Sequence, residues 1–408
     1  MNTSSGLEQA SSRYRWVICA LLFFATTSNY MDRQVLGILA PRLQGELGWS
    51  EVEYGNIVTA FQAAYALGLL LSGWLVDRLG ARWGLVLAVA LWSGCCCVHG
   101  LARGAGQFAL ARFGLGLAES ANFPASVKSV SEWFPRRERA LAIGIFNSGS
   151  NLGAVIAPLV VPVIALSYGW PAAFYALGIV GFGWVFAALL LFKKAPLDSI
   201  AGDGVASRLG WGEMFIRRET LAFALAKFLT DPVWWFYLYW TPKYLASNYQ
   251  VDLAGIGLPL VIVYLCADVG SIGGGWWSGR AIASGVGVFK ARMRVMLFCA
   301  VAVLSVVSLA FGGGLFWAVA VLGIATAAHQ GWSANLFALV ADRIPTAGVA
   351  SVVGIGGMAG AIGGMFIAQF AGYILERSGS YALLFVVCGA SYLVAWVGLW
   401  FTLRRVEH

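Results

Sequence analysis

Long runs of apolar residues recur along the whole chain, and short polar intervals separate them. A run of about 20 apolar residues is long enough to cross the hydrocarbon core of a bilayer as a helix. The first run has no cleavage site of small residues behind a short apolar core, so we expect a retained helix rather than a signal peptide. The pattern predicts twelve membrane-spanning helices, over residues 16–40, 53–76, 82–102, 106–128, 138–166, 170–192, 219–246, 255–279, 291–312, 314–338, 347–374 and 380–403.

Composition supports a membrane protein and argues against a catalytic or metal site. Hydrophobic residues make up 60% of the chain and charged residues 11%, whereas soluble proteins carry about 25% charged residues. The seven cysteines all fall inside predicted helices, where cysteine acts as a small apolar residue. The three histidines show no metal-ligand spacing. We therefore expect no metal, no cofactor and no enzymatic activity.

The distribution of basic residues predicts an orientation in the membrane. Among the 27 Lys and Arg residues, twenty lie in intervals on the same side as the N-terminus and four lie in intervals on the opposite side. Positive residues concentrate on the cytoplasmic side, so both termini of this multi-pass protein are expected in the cytoplasm, with the helices in the cell inner membrane. Because the basic residues are scattered over many loops, the net charge of +8 does not indicate nucleic-acid binding.

The longest polar interval divides the chain into two halves of six predicted helices. The predicted domains are an N-terminal bundle at 1–192, a cytoplasmic linker at 193–218 and a C-terminal bundle at 219–408. A shift of 210 residues aligns the two halves, for example by placing Glu132 on Asp342 and Pro135 on Pro345. Parallel repeats of this kind are an established transporter architecture.

The interval between the second and third predicted helices contains Gly73, Asp77, Arg78, Gly80 and Arg82. Glycine permits a tight turn, and Asp77 can interact with the positive end of a helix or with an arginine. An ordinary charged turn is the alternative interpretation. In this position the motif resembles the loop signature of the major facilitator superfamily. The resemblance implies an all-α membrane protein with twelve transmembrane helices in two pseudo-symmetric six-helix bundles, and a conformational role for this loop.

Seven charged residues lie in the interior of predicted spans, away from the span ends, where charges are costly and usually mark a functional pathway. Arg112 and Glu119 are seven residues apart and share one helix face, and Asp32 reaches a depth similar to that of Arg112. Burial favours the protonated form of a carboxylic acid and a nearby arginine opposes it. We predict that Asp32 and Glu119 carry protons and that Arg112 controls Asp32. The alternative for Asp32 is a permanent salt bridge with Arg112, whereas Glu119 has no evident fixed partner. The seven residues are Asp32, Arg33, Arg112, Glu119, Lys227, Asp231 and Asp268.

Polar groups around Arg33 suit an anion that also carries hydroxyl groups. Arg33 shares a helix face with Tyr30, and Gln62 lies three residues before Tyr65 on the second helix. A guanidinium binds a carboxylate through two hydrogen bonds, so a sugar acid fits this group. Packing is the alternative for Tyr65, and helix-to-helix contacts are the alternative for the remaining candidates. These further substrate-binding candidates are Ser150, Asn151, His329, Gln330 and Asn335.

The seventh predicted helix carries two of the seven buried charges. Lys227 and Asp231 are four residues apart, which is the spacing of a side-chain pair on one helix face. We favour structural roles for both residues and for Asp268.

Five parts of the chain form a further pattern: Asn29 to Arg33 (NYMDR), Arg112 to Pro124 (RFGLGLAESANFP), Glu132 to Pro135 (EWFP) with Arg139 and Ala140, the aromatic seventh helix, and His329 to Asn335 (HQGWSAN). Together they resemble the anion:cation symporter family and, within it, hexuronate and sugar-acid transporters. The resemblance implies that Asp32 and Glu119 take part in proton coupling and that Arg33, Tyr30 and Tyr65 bind substrate. Ser150 stands where a galactonate-transporting relative has glutamine, so the substrate site is not carried over whole.

These features together predict a proton-coupled symporter that imports a sugar acid by alternating access. A hexuronate such as galacturonate or glucuronate is the first choice of substrate, and an aldonate, an aldarate or another organic anion is the alternative. Sodium coupling stays open because carboxylates serve either ion. Arg33 counts against an organic-cation or drug antiporter, and no catalytic motif supports a membrane enzyme. The predicted partners are the small organic anion, protons and the lipid bilayer, and we expect a monomer.

Overall fold

The computed structural model describes residues 3–193, 211–249 and 257–404, and these residues are almost entirely helical. The α-helices are α1 (Thr3–Leu47), α2 (Glu51–Leu79), α3 (Ala81–Leu101), α4 (Ala105–Glu119), α5 (Asn122–Trp133), α6 (Arg136–Tyr168), α7 (Trp170–Leu191), α8 (Trp211–Ile216), α9 (Arg218–Tyr249), α10 (Gly257–Ala283), α11 (Val288–Val303), α12 (Leu315–Arg343), α13 (Val349–Ser378) and α14 (Ala382–Leu403). Two 3-10 helices, Leu304–Phe311 and Thr346–Gly348, continue α11 and precede α13.

Each predicted apolar run falls on one helix or on two consecutive helices. Within the described ranges, nine helical segments are long and apolar enough to cross a membrane by length and hydropathy. The helices α1 and α9 carry the buried charges Asp32 and Lys227, which lower their hydropathy. The helix α4, with 15 residues, is too short to cross a membrane alone. Helices satisfy their own backbone hydrogen bonds, which is why a chain can cross the hydrocarbon region in this form.

The fourth predicted helix is not continuous, because α4 ends at Glu119 and α5 begins at Asn122. Pro124 has no N–H to donate to the carbonyl of residue 120, and its ring crowds that carbonyl. The hydroxyl of Ser120 instead donates to the carbonyl of Leu117 at 2.6 Å. The break therefore leaves Glu119 at the end of a helix rather than in the middle of one.

The 210-residue shift maps helix boundaries of one half onto those of the other. Residue 105, where α4 begins, maps onto residue 315, where α12 begins. The whole of α6, Arg136–Tyr168, maps onto residues 346–378, which comprise the second 3-10 helix and α13. The sequence repeat thus has a counterpart in the lengths and spacing of the helices.

The chain forms two compact units, whose boundaries differ from the predicted domains. Unit 1 comprises Met1–Phe134, Ile145–Leu209 and Pro345–Gly354, and unit 2 comprises Pro135–Gly144, Gly210–Ile344 and Ile355–His408. Each unit thus includes the first turns of a helix whose remainder belongs to the other unit. Residues 194–210 of the predicted linker lie outside the described residues, and the predicted domain boundaries stay a prediction.

Glycines create close helix contacts of the same kind in both units. A Cβ on Gly73 of α2 would overlap the carbonyl of Ala350 in unit 1, and a Cβ on Gly275 of α10 would overlap the carbonyl of Ala140 in unit 2. Ala140 maps onto Ala350 under the 210-residue shift. The repeat therefore extends to the packing of helix backbones.

Within unit 1, α2 packs along α4, and α3 packs against α4 and α7. Gly116 of α4 makes the approach of α2 possible, because a Cβ at this position would lie 2.5 Å from the carbonyl oxygen of Phe61. The same turn of α2 carries Phe61 and Tyr65. Gly116 therefore determines how near these two aromatic rings come to α4.

We predict that Gly116→Ala destabilises the protein because the added methyl group must push α2 away from α4. Overpacking of this kind costs about 1–3 kcal/mol, so the thermal unfolding midpoint in detergent should fall measurably. Gly106→Ala is the matched control on the same helix, since a Cβ there meets nothing within 4 Å. Equal midpoints for the two variants would contradict the proposed close contact.

Candidate functional site: a buried charge cluster in unit 1

Four charged residues of α1 and α4 meet inside unit 1, and we call them the charge cluster: Asp32, Arg33, Arg112 and Glu119. Asp32 and Glu119 are completely buried, and Arg112 is 3% exposed. The side chain of Arg33 is 14% exposed. A charge so far from water is stable only when other groups compensate it.

Arg33 and Glu119 form the direct ion pair of the cluster. The Nε of Arg33 donates to Oε2 of Glu119 at 2.7 Å. The interpretation that Glu119 has no fixed partner was therefore wrong, because the long arginine side chain reaches from α1 to the end of α4. Two atoms of this pair have no hydrogen-bond partner among the described residues: Oε1 of Glu119 and the terminal nitrogen Nη2 of Arg33.

Arg112 contacts the backbone of α1 rather than a carboxylate. Its guanidinium donates to the carbonyl of Asp32 at 3.3 Å and to the carbonyl of Arg33 at 3.2 Å. In the described part of the chain, no ion pair within 4.0 Å joins Arg112 to the carboxylate of Asp32. The alternative of a permanent Asp32–Arg112 salt bridge is therefore not the arrangement in this structure.

Asp32 has a thiol as its hydrogen-bond partner. The Sγ of Cys96 on α3 lies 3.4 Å from Oδ1 of Asp32, while Oδ2 accepts no hydrogen bond from the described residues. A carboxylate with so little support is an unusual group in a protein interior. The role of Asp32 as a proton carrier stays a prediction.

Aromatic rings surround the guanidinium of Arg33. Its central carbon lies 4.4 Å from the ring centre of Tyr65, 4.8 Å from that of Tyr30 and 5.5 Å from that of Phe61. Phe61 is also 5.5 Å from the guanidinium of Arg112. These distances allow cation–π attraction. The structure thus brings Tyr30 of α1 and Tyr65 of α2 together around Arg33, and their role in substrate binding stays a prediction.

The other predicted substrate residues of unit 1 lie elsewhere or have local partners. Gln62 is exposed on α2. Ser150 and Asn151 are buried on α6, and the hydroxyl of Ser150 donates to the carbonyl of Asn147, one turn earlier, at 2.7 Å. Their roles in substrate binding stay predictions.

In unit 2, His329 and Asn335 of α12 have partners on neighbouring helices. His329 bonds through Nδ1 to the hydroxyl of Tyr392 and stacks on Trp234 with ring centres 5.0 Å apart. The amide of Asn335 donates to the carbonyl of Gly274 at 3.0 Å, which is the helix-to-helix contact named as the alternative. Gln330 is buried on the same helix. A substrate-binding role for these three residues stays a prediction.

The expected pairing of Lys227 with Asp231 is confirmed, with Nζ 2.6 Å from Oδ2. The ammonium group also lies 4.5 Å from the ring centre of Phe337. Both contacts lie within unit 2, and they support the structural role favoured for this pair.

The loop motif contains a second buried ion pair in unit 1. The carboxylate of Asp77 lies 2.7 Å from Nζ of Lys128 and accepts hydrogen bonds from the backbone N–H groups of Ser351, at 2.7 Å, and Ala350, at 3.3 Å. These amides belong to the first turn of α13, whose dipole favours a negative charge. Asp77 therefore lies at the positive end of a helix, as expected, and its ion-pair partner is a lysine instead of an arginine.

The remaining motif residues have local contacts. Gly80 adopts a positive φ of 83° between α2 and α3, a conformation that favours glycine. Arg78 lies over the ring of Trp74 at 3.9 Å, and Arg82 donates to the carbonyl of Leu189 at 3.1 Å. The conformational role of the motif stays a prediction.

Three residues of the site were missed in the sequence. Phe61 lies four residues before Tyr65, so helical spacing alone places both rings on one face. Asn29 lies three residues before Asp32, is completely buried and has no partner for either amide atom among the described residues. Cys96 had no such signal, because its contact with Asp32 depends on how α3 packs against α1.

Known transporters resemble this chain, two of the three named here over more than nine tenths of its length. A family model described as Major Facilitator Superfamily matches residues 22–368. The hexuronate transporter of Escherichia coli K12 is 30% identical over 96% of this chain and 94% of its own length. The galacturonate transporter of Dickeya chrysanthemi is 32% identical over 64% of this chain and 81% of its own length. A probable L-galactonate transporter of E. coli K12 is 28% identical over 94% of this chain and 89% of its own length.

Solved structures share the fold at low sequence identity. The fucose:proton symporter of E. coli has a TM-score of 0.76 at 16% identity and covers 95% of this chain and 99% of its own. A proton:xylose symporter has a TM-score of 0.73 at 14% identity, with 96% of each chain covered. The predicted all-α membrane fold of twelve transmembrane helices is thereby confirmed.

The buried pair of Asp77 and Lys128 generates a stability prediction. Lys128→Met leaves the Asp77 carboxylate buried without its counter-ion, and removing one member of such a pair costs about 3–5 kcal/mol. The double variant Asp77→Asn, Lys128→Met removes both charges, so its thermal unfolding midpoint should lie closer to that of the unaltered protein. A double variant less stable than Lys128→Met would contradict this account.

An exposed ion pair provides the control for the Asp77 and Lys128 variants. Arg42 and Glu46 are 2.6 Å apart, but their side chains are 39% and 44% exposed. Such pairs contribute about 1 kcal/mol or less, so Glu46→Gln should barely change the midpoint.

Proposed function

Because the chain belongs to the Major Facilitator Superfamily, we propose that it imports a sugar acid together with protons. Its family makes it a multi-pass membrane transporter rather than an enzyme. The proposed substrate is a hexuronate, with galacturonate and glucuronate as the first candidates. The proposed location is the inner membrane, with both termini in the cytoplasm and the protein acting as a monomer.

The named relatives support an anionic sugar derivative as substrate. The two relatives that are 30% and 32% identical are named for hexuronate and galacturonate, and a third is named for L-galactonate. All three substrates combine one carboxylate with several hydroxyl groups. An aldonate is therefore the main alternative to a hexuronate, and both classes require the same kind of anion site.

The observation that carries this proposal is the buried ion pair between Arg33 and Glu119. The guanidinium of Arg33 forms an ion pair with the titratable carboxylate of Glu119. One terminal nitrogen of this guanidinium has no hydrogen-bond partner among the described residues. When Glu119 binds a proton it loses its charge, and Arg33 can then pair with the carboxylate of a substrate. Proton binding and anion binding thus act on the same guanidinium.

The charge balance of the cluster gives the direction of coupling. Two carboxylates and two guanidinium groups sum to zero when all four are ionised. A substrate carboxylate adds one negative charge, which is costly in a buried site unless it is compensated. One proton on Glu119 or Asp32 restores neutrality. An anion and a proton should therefore occupy the site together, which is the requirement for symport.

The rings around Arg33 suit the rest of a sugar acid. Tyr30 and Tyr65 place an aromatic face and a hydroxyl close to the guanidinium. Aromatic side chains of this kind present an apolar body and a polar tip, and they can cover a sugar ring while bonding its hydroxyls. Two arginines, Arg112 buried and Arg33 partly buried, disfavour an organic cation at the same place.

We predict gradient-driven uptake of radiolabelled galacturonate or glucuronate by the purified protein in liposomes. An inward proton gradient should produce accumulation that a protonophore abolishes, because the proton neutralises the cluster. Replacing sodium with potassium at a fixed proton gradient should leave uptake unchanged if protons are the coupling ion. Unlabelled galactonate and glucarate as competitors rank the alternative acids. Folded protein that accumulates none of these anions would reject the sugar-acid assignment.

Glu119→Gln tests the coupling role of the Arg33 partner. Glutamine resembles the protonated acid and cannot release a proton, so gradient-driven accumulation should fall by about tenfold or more. Exchange of labelled for unlabelled substrate at equal pH needs no proton release and should persist. The matched control is Glu46→Gln, which alters an exposed glutamate on the same helix as Arg33. Accumulation that survives Glu119→Gln would exclude Glu119 as a coupling residue.

A further inference from the structure

The thiol of Cys96 has one hydrogen and two acceptors within reach. Its Sγ lies 3.4 Å from Oδ1 of Asp32 on α1 and 3.4 Å from the backbone carbonyl of Phe174 on α7. Cys96 is 1% exposed and Asp32 is completely buried. The thiol can satisfy only one of these acceptors at a time, and one of the two can change its charge.

We propose that Cys96 is a positioning residue for Asp32. The Cys96 thiol donates to the carboxylate of Asp32 when that carboxylate is ionised, and to the Phe174 carbonyl when the carboxylate is protonated. This inference rests on the proposed function, in which Asp32 exchanges protons during transport. The thiol would then stabilise the ionised carboxylate and connect the proton state of α1 with the backbone of α7.

The argument begins with the groups that face Asp32. Arg33 lies next to it on α1, while Arg112 and Glu119 face it from α4. The thiols of Cys96 and Cys97 face it from α3, and α7 contributes the Phe174 carbonyl. Arg33 donates to Glu119, and Arg112 donates to backbone carbonyls, rather than to Asp32. Among the described side chains, Cys96 is the one that donates a hydrogen bond to this carboxylate.

The switch between acceptors follows from their relative strengths. A thiol is a weak donor, and hydrogen bonds to a charged acceptor are shorter and stronger than those between neutral groups. The ionised carboxylate of Asp32 should therefore compete better for the S–H hydrogen than the neutral carbonyl does. Protonation removes that advantage, and the carbonyl of Phe174 is already at the same distance.

The three consecutive cysteines of α3 differ in their surroundings. Cys95 packs against Gly114 of α4, and Cys97 packs against Gly178 of α7. In both cases the sulfur fills space left by a glycine on the adjacent helix. Cys96, between them, is the one of the three whose thiol bonds a carboxylate.

The first test is the pH profile of sugar-acid uptake in proteoliposomes. Cys96→Ala removes the donor, so ionised Asp32 loses support and holds its proton up to a higher pH. The limb of the profile that reports Asp32 should move to higher pH by about half a pH unit to one pH unit. Cys96→Ser keeps a donor, and its profile should remain near or below that of the unaltered protein. Cys299→Ala, which removes another buried thiol in unit 2, is the control.

A superposed or downward-shifted profile for Cys96→Ala, together with normal uptake by the control, would overturn the proposal. If Cys96→Ala does not fold, Cys96→Ser still tests it, because its hydroxyl is a stronger donor and should move the same limb to lower pH. A Cys96→Ser profile that moves upward would contradict the donor role.

The second test needs no transport and so separates this inference from the proposed function. The S–H stretching band in the infrared spectrum of detergent-solubilised protein reports the acceptor of the thiol. The part of this band that disappears in Cys96→Ala belongs to the Cys96 thiol. Its frequency should shift as pH changes, and Asp32→Asn should abolish the shift. Such a shift in protein that imports no sugar acid would support the Cys96–Asp32 switch while rejecting the substrate. A band that is independent of pH while Asp32 titrates in the same spectra would overturn the switch.

Discussion

Four charges inside a membrane helix bundle must compensate one another, and the organisation of unit 1 depends on how they do so. Asp32 and Glu119 provide two negative charges, while Arg33 and Arg112 provide two positive charges. One direct ion pair joins Arg33 to Glu119 at 2.7 Å. Backbone carbonyls, aromatic faces and a thiol complete the compensation. When all four groups are ionised the cluster is neutral as a whole, although its members are not all bound in permanent pairs.

Helix geometry brings these charges within reach of each other. Gly116 lets α2 approach α4, and the approach places the rings of Phe61 and Tyr65 against guanidinium groups. Pro124 interrupts the hydrogen bonding beyond α4, so Glu119 lies at a helix end. Neither feature carries charge, yet both decide which charged atoms can meet. The geometry of the charge cluster is thus determined in part by uncharged residues outside it.

The helices could be predicted from apolar runs because a bilayer admits few other structures, and the membership of the charge cluster follows from the cost of buried charge. The pairing inside the cluster does not follow. Rise per residue locates a Cα atom, whereas an arginine side chain extends beyond one helical turn, so packing decides which carboxylate it reaches. Depth alone suggested Asp32 with Arg112, while Arg33 with Glu119 is the pair that forms. Cys96 could not be found from composition, since most buried thiols are inert.

The two arginines consequently suit different tasks. Arg112 donates to the carbonyls of residues 32 and 33, and backbone carbonyls keep the same charge at every pH. Arg33 is held by Glu119, whose charge disappears when it binds a proton. An anion site that becomes available only in the protonated state needs a guanidinium of the second kind. We therefore propose that the pair of Arg33 and Glu119 couples anion to proton, whereas the hydrogen bonds of Arg112 join α4 to the backbone of α1.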